Sequence, residues 1–234
     1  MRQRSKRYRA LAEKIGDPKQ PRPIAEAVEL VKKCANGKFT ESVDLVVHLN
    51  LDAKKADQAI RGSFSLPHGT GKQVRVIVFA DEGDAIQGAL AAGAVKAGGE
   101  DLVTAVQEGF MDFDVAIATP KMMRVVGKLG RVLGPRGLMP APKSGTVTED
   151  VVTATREFKG GKIEYRADAA GNVHVRIGNI GFQPQQLAEN AEAFYHYLAD
   201  HRPSSVKGEY VKSVHISSTM GPGIRIAVAA QGGN

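Results

Sequence analysis

GLMPAPKSG, residues 137 to 145, nearly spells a nucleotide cradle. A P-loop reads G-x-x-x-x-G-K-[ST], and Gly137, Lys143 and Ser144 hold the right types at the right spacing. In such a loop, backbone N–H groups wrap phosphates, the lysine reaches the terminal ones and the hydroxyl holds magnesium. Pro142, however, occupies the second glycine position. Proline has no N–H and a fixed φ, so it removes a donor from the cradle, and Pro140 removes another. A helical pattern precedes the loop where a strand should, and TVTED follows with a helix cap of its own. GTGK at 69 to 72 also fails, with Leu66 at the first glycine position and Gln73 at the hydroxyl position. A nucleotide-dependent enzyme using either loop is the competing reading, and neither loop supports it.

Other reactive constellations are thin. The histidines lie at 48, 68, 174, 196, 201 and 215, and no pair has the i, i+4 spacing that puts two metal ligands on one helical face. His48 falls on the polar side of a strand pattern. No G-x-S-x-G elbow occurs. Asp81, Glu82 and Asp84 follow an apolar run, where α/β proteins place ligand sites, but acids opening a helix are also ordinary first-turn charges. The single cysteine, Cys34, sits at helical spacing behind VELVKK and reads as a core thiol. No catalytic residue, metal or cofactor is expected.

Binding features are stronger. Arg2, Arg4, Lys6, Arg7 and Arg9 place five cations in nine residues without an acid, either a solvated run or a nucleic-acid arm. KFTESVD, 38 to 44, puts Phe39 beside Lys38, Thr40 and Ser42. The ring is either a core anchor or an exposed platform on which bases stack, with hydroxyls reaching ribose. SSTMGPG, 217 to 223, offers three hydroxyls, Met220 and glycines that permit close backbone approach, or simply turns between strands.

The elements that position these groups follow from hydrophobic spacing. A basic helix is expected over Lys6 to Ile15 and a second from about Pro23 to Ala35. Val43, Leu45, Val47, Leu49 and Leu51 alternate with polar residues as in a half-buried strand. VRVIVFA (74–80) and DVAIATP (114–120) are unbroken apolar runs, the mark of parallel strands covered on both faces. Helices over Asp84 to Gly93 and Glu100 to Glu108 separate them, and KMMRVVGKLGRVLG continues as another. Alternating strands resume at Ile163 and Tyr165, then at Val173, Val175 and Ile177. A long helix, PQQLAENAEAFYHYLADH, precedes the last pair, EYVKSVHIS and GIRIAV. The pattern predicts a mixed α/β and α+β chain of two domains. Residues 1–68 and 159–234 build a discontinuous α+β domain with an antiparallel, split βαβ-like sheet. Residues 69–158 form an inserted Rossmann-like, three-layer α/β domain, with hinges near 67–71 and 159–161.

Charge supports the division. The chain of 234 residues carries a net charge of +7. Residues 1–68 hold 14 Lys/Arg against 8 Asp/Glu, residues 69–158 hold 10 against 11, and residues 159–234 hold 8 against 6. The excess lies in the two ends, so a polyanion surface is expected there. Absence of an apolar run of membrane length, of a secretory leader and of a cysteine pair points to a cytoplasmic protein with no membrane partner, and a monomer is expected.

KRYRALAEKI, KFTESVDL, DQAIRGSFSLPHGTGKQVRV, GRVLGPRGLMPAPKSGTVT, EYRAD and STMGPGIRI, in this order, closely resemble the L-one family of bacterial large-subunit ribosomal proteins. The resemblance runs nearly end to end and makes 134–148 a family signature loop. It implies the same split and inserted domains, and a structural and regulatory role without catalysis. The implied partners are large-subunit ribosomal RNA at the mobile side stalk, the protein's own messenger RNA, whose translation it represses, and deacylated transfer RNA leaving the exit site. Carried over by position, the implied RNA contacts are Lys38, Phe39, Ser42, Asp44, Asp168, Ser213, Thr219, Met220 and Gly221, with Arg4, Lys6 and Arg7 supplying phosphate attraction. The family often has threonine and glutamate at Ser42 and Asp44, swaps that keep the hydrogen-bonding groups. It commonly reads N-D-K around Asp168, where this chain has Ala167-Asp168-Ala169, so one lysine contact is missing.

Overall fold

The structure, a computed structural model, describes residues 4–17, 19–51, 58, 60–206 and 208–227. Helix α1 spans Lys6–Ile15. Ser5 caps it by accepting the Tyr8 N–H, and Leu11 and Ile15 are buried. Helix α2, Ile24–Cys34, starts directly after Pro23 and buries Ala27, Val28, Val31 and Cys34 as one apolar stripe. Cys34 is thus a core thiol, and burial pushes its pKa up. Strand β1, Ser42–Leu49, buries Val43, Leu45, Val47 and Leu49 and leaves Ser42, Asp44, Val46 and His48 half-buried on its other side.

Strand β2 is Arg61–Ser65. Next come β3 (Val76–Phe79), α3 (Gly83–Ala91), β4 (Lys96–Gly98), α4 (Glu100–Gln107) and β5 (Val115–Ala118). The three strands form a parallel sheet in the order β4-β3-β5, with β4 a short edge strand too brief to leave a hydrophobic pattern. Ile77, Phe79 and Ala118 pack with Leu102, Val106 and Leu129 on one side. Val76, Val78 and Ile117 pack with Ala89, Val151 and Phe158 on the other. Burial on both faces is why these strands read as unbroken apolar runs.

After β5 the expected single helix is instead three short pieces: α5 (Met123–Val126), a 3₁₀ turn (127–129) and α6 (Gly130–Leu133). Gly127 and Gly130 fall at the joints, where the poor helix propensity of glycine favours the break. Helix α7, Val151–Gly160, opens on Asp150, whose carboxylate accepts the Thr153 N–H at 3.0 Å, and ends on Gly161 at φ 112°. Residues 159–161 are therefore the last helical turn and its cap.

Strand β6, Lys162–Arg166, pairs with β2 in a two-stranded sheet of its own. Strand β7 (Asn172–Asn179), helix α8 (Pro184–Asp200), β8 (Val211–Ser218) and β9 (Ile224–Ile226) complete the chain. A capping box between Gln183 and Gln186 starts α8, which buries Leu187, Ala191, Phe194 and Leu198 as the spacing predicts. The main sheet has the order β7-β1-β8-β9 and is antiparallel throughout. Helices α2 and α8 pack on it.

Packing divides the chain into two units, one of residues 1–60, 66–71 and 165–234, the other of 61–65 and 72–164. The first holds the antiparallel sheet and the second the parallel one. Within the first unit, Asn190 is fully buried and pins the 66–71 loop. Its amide donates to the Gly69 and Ile177 carbonyls at 3.0 and 2.8 Å, and its oxygen accepts the His68 N–H at 3.0 Å.

Candidate nucleic-acid interface

The loop joining α2 to β1 meets the turn after β8 through one buried acid. Glu41 is 2% exposed, and its carboxylate accepts the N–H of Gly37 at 2.8 Å and of Met220 at 3.0 Å. Burial alone would raise its pKa, but the Ser218 hydroxyl, these two N–H donors and the nearby Arg7 guanidinium hold it below the usual range. Glu41 thereby fixes two chain segments far apart in sequence. A Cβ at Gly37 would lie 2.8 Å from the Glu41 carboxylate, and one at Gly221 would lie 2.5 Å from Ser218 Oγ, so a side chain at either position would displace a group of this cluster.

On this frame sit the side chains singled out from sequence. Ser42 donates its N–H to Thr219 Oγ1 at 2.9 Å, the two hydroxyls lie 2.9 Å apart, and the Thr219 N–H donates to the Ser42 carbonyl at 3.1 Å. Ser42 Oγ also donates to Asp44 at 3.1 Å. Arg7 donates to the Met220 carbonyl at 2.7 Å and to Asn36 at 2.9 Å, which draws α1 into the cluster. Phe39 is 55% exposed, which excludes the core-anchor reading, and Met220 is 47% exposed. Among the described residues of this unit, these two are the large apolar side chains left in solvent. An open cleft of about 480 Å³, bounded by Ala35, Lys38, Phe39, Thr40 and Ile180, lies beside the ring.

Asp168 and Ser213 lie elsewhere. Ser213 pairs with His48, which also pairs with Asn172 and holds its Oδ1 at 2.8 Å from Nδ1. His48 stands six residues along β1 from Ser42, roughly 20 Å away at about 3.3 Å per residue. Asp168 closes the turn into β7, accepting the Ala170 and Asn172 N–H groups at 2.9 and 2.7 Å and the Asn172 amide at 3.1 Å. These bonds, led by those from Asn172 and joined by His174, hold its pKa at about 2. Arg4 stacks over Tyr8 at 4.8 Å, and Lys6 is exposed on α1. Arg2 lies outside the described residues.

What joins the two clusters is the sheet face turned away from α2 and α8. Alternation puts three rows on it: Arg176, Asp44 and Ser217; then His174, Val46, His215 and Arg225; then Asn172, His48 and Ser213. Glu41, Arg176, His174, His215 and Arg225 escaped the sequence reading. The last four were legible as the polar half of each alternating strand, but which strands neighbour one another was not. Burial, Arg225 and His48 together depress the pKa of His215. The result is a shallow polar sheet with hydroxyl donors, two arginines and one exposed ring at its rim.

The acidic knot is ordinary. Glu82 pairs with Lys121 at 2.7 Å, and Asp84 sits in the first turn of α3. In the near P-loop, Ser144 is fully buried and its hydroxyl donates inward to the Ala141 carbonyl at 3.0 Å, away from any phosphate. Among the described residues, no group of three or more His, Cys, Asp or Glu is placed to hold a metal, and no helix is long and apolar enough to cross a membrane.

This hydroxyl-lined sheet face is open and carries a solvent-exposed aromatic at its rim. The chain matches the model of the ribosomal protein L1p/L10e family over residues 31–222 and belongs to that family. It is 50% identical over 223 residues to the large ribosomal subunit protein uL1 of Thermosipho melanesiensis and to that of Thermosipho africanus, covering 95% of each chain. It is 51% identical over 223 residues to the same protein of Fervidobacterium nodosum, covering 95% of this chain and 94% of the relative. As a ribosomal protein of this family it is structural and not an enzyme.

Proposed function

We propose that this protein is a cytoplasmic component of the large ribosomal subunit, where it binds ribosomal RNA at the mobile side stalk through the antiparallel unit. The observation that carries the reading is the Phe39 ring, left in solvent beside the hydrogen-bonded Ser42–Thr219 pair. An exposed ring stacks on an unpaired base, the hydroxyls meet 2′-hydroxyls and phosphate, and Arg7, Arg176 and Arg225 supply backbone attraction. Asp44 accepts from ribose or guanine amino groups. Asp168, engaged in its own turn, acts by holding the β7 end of the face in place.

The finer roles rest on family resemblance together with this surface. A face that reads RNA by shape serves any RNA folded alike, which supports binding of the chain's own messenger RNA and repression of its operon. We extend the reading to release of deacylated transfer RNA from the exit site, with two domains moving about hinges near 67–71 and 159–161. Asn190 pins the first of these at His68 and Gly69.

The test is titration of a side-stalk fragment of large-subunit ribosomal RNA across salt, against an unrelated hairpin. Tight binding that persists at moderate salt and resists the hairpin supports shape recognition. Weak binding that collapses with salt and ignores the competitor would leave only a basic arm and refute the proposal.

A further inference from the structure

The chain has six methionines, of which Met1 lies outside the described residues. Met122 is 6% exposed, and Met111, Met123 and Met139 lie half-buried against one core of the parallel unit. Met220 differs from these four. It is 47% exposed and stands in the turn after β8, on the face that carries Phe39.

Hydrogen bonds on both sides of the residue hold it there. The Met220 N–H donates to the buried Glu41 carboxylate at 3.0 Å, and the Met220 carbonyl accepts from Arg7 at 2.7 Å. The neighbouring residues are tied as well: the Thr219 N–H donates to the Ser42 carbonyl and the Gly221 N–H to the Ser218 carbonyl, each at 3.1 Å. The main chain of the turn is thus fixed, and the thioether is presented to solvent. A thioether is soft and apolar, and it gains dispersion contact when a base or ribose lies on it. Its sulfoxide is polar and carries a hydrated acceptor oxygen. Laid against RNA, that oxygen sheds water and faces phosphates that repel its partial negative charge.

We propose that Met220 is an oxidation site, where peroxide converts the thioether of the free chain to a sulfoxide and weakens its binding to RNA. The inference rests on the RNA reading of the Phe39 face. In the step, a sulfur lone pair attacks one oxygen of hydrogen peroxide, the O–O bond breaks and an S–O bond forms. The departing hydroxide takes the proton from the transferred oxygen and leaves as water. Sulfur gives up an electron pair and the peroxide receives it. RNA seated on the face covers the thioether, so the bound chain is spared and the unassembled chain responds. Methionine sulfoxide reductases reverse the change.

The full chain is treated with dilute hydrogen peroxide, free and with the side-stalk fragment bound. Tryptic peptide 213–225, SVHISSTMGPGIR, has Met220 as its one methionine, so mass spectrometry follows the site directly. Met220 should oxidise several-fold faster than Met111, Met122, Met123 and Met139 in the free chain, and the fragment should slow it alone. The oxidised chain should bind the fragment about tenfold more weakly, with an unchanged thermal midpoint, and reductase treatment should restore the affinity. Met220→Leu, whatever its starting affinity, should bind equally well before and after peroxide. Oxidation of Met220 no faster than of the half-buried methionines overturns the proposal. So does undiminished affinity of a chain fully oxidised at Met220, or an equal loss in the Met220→Leu chain. Failure of the untreated chain to prefer the fragment over an unrelated hairpin overturns the RNA reading itself, and is told apart because it appears before any peroxide is added.

Discussion

The carboxylate of Glu41 and the backbone N–H of Met220, 179 residues apart in sequence, meet at 3.0 Å inside the antiparallel unit. That bond sets the exposed Met220 beside the loop that carries Phe39. Replacing Glu41 by alanine orphans the Gly37 and Met220 N–H groups, so stability should fall by about 2–3 kcal/mol. RNA affinity should fall with it, because the two loops lose their common anchor. Chemical denaturation with a parallel RNA titration reads both effects. A variant as stable as wild type would show that Glu41 organises nothing.

Phe39→Ala should separate binding from folding. A ring 55% exposed contributes little to the core, so the expected stability change lies within about 0.5 kcal/mol. Loss of one stacked base is worth about 1–3 kcal/mol, or roughly 5- to 150-fold in affinity for the ribosomal RNA fragment. Unchanged affinity would remove the ring from the interface.

Asp168 makes an acid-side prediction. Its folded pKa of about 2 lies below the ordinary 3.8, so its contribution is fully present above about pH 4 and is lost as pH falls toward 2. Asp168→Asn should flatten the loss of stability over that interval. An NMR titration placing the carboxyl near 4 would contradict the turn geometry.

His215 acts with the opposite charge. Its folded pKa is depressed, so the folded protein binds fewer protons than the unfolded chain, and stability drops as pH falls below about 6.5. RNA phosphates laid over the sheet favour the charged ring, so affinity should rise over the same range. His215→Gln should weaken both trends, and an affinity indifferent to pH from 7 to 5.5 would place RNA off this row.

The near P-loop yields an expected absence. With Ser144 turned inward and Pro142 in the cradle, ATP and GTP should show no saturable binding, and Lys143→Ala should change nothing in that assay. Saturable binding abolished by the substitution would revive the nucleotide reading.

Local order was legible in the residues themselves. Alternation located β1 and β7, helical spacing gave the buried face of α8 and the core place of Cys34 in α2, and unbroken apolar runs marked β3 and β5 as covered on both sides, because those patterns record which face meets the core. The near P-loop could likewise be dismissed from Pro142, Pro140 and the helical pattern that precedes it. What tertiary structure decided was adjacency. No local pattern states that β1 lies between β7 and β8, that Glu41 reaches Met220, or that Asp168 and Ser213 sit at the far end of the sheet from Phe39. Nor could one say whether Phe39 was core or surface, since an aromatic beside a strand suits both. Side-chain period encodes the direction a residue faces, whereas strand order and loop closure depend on contacts between distant segments that only the folded chain brings together.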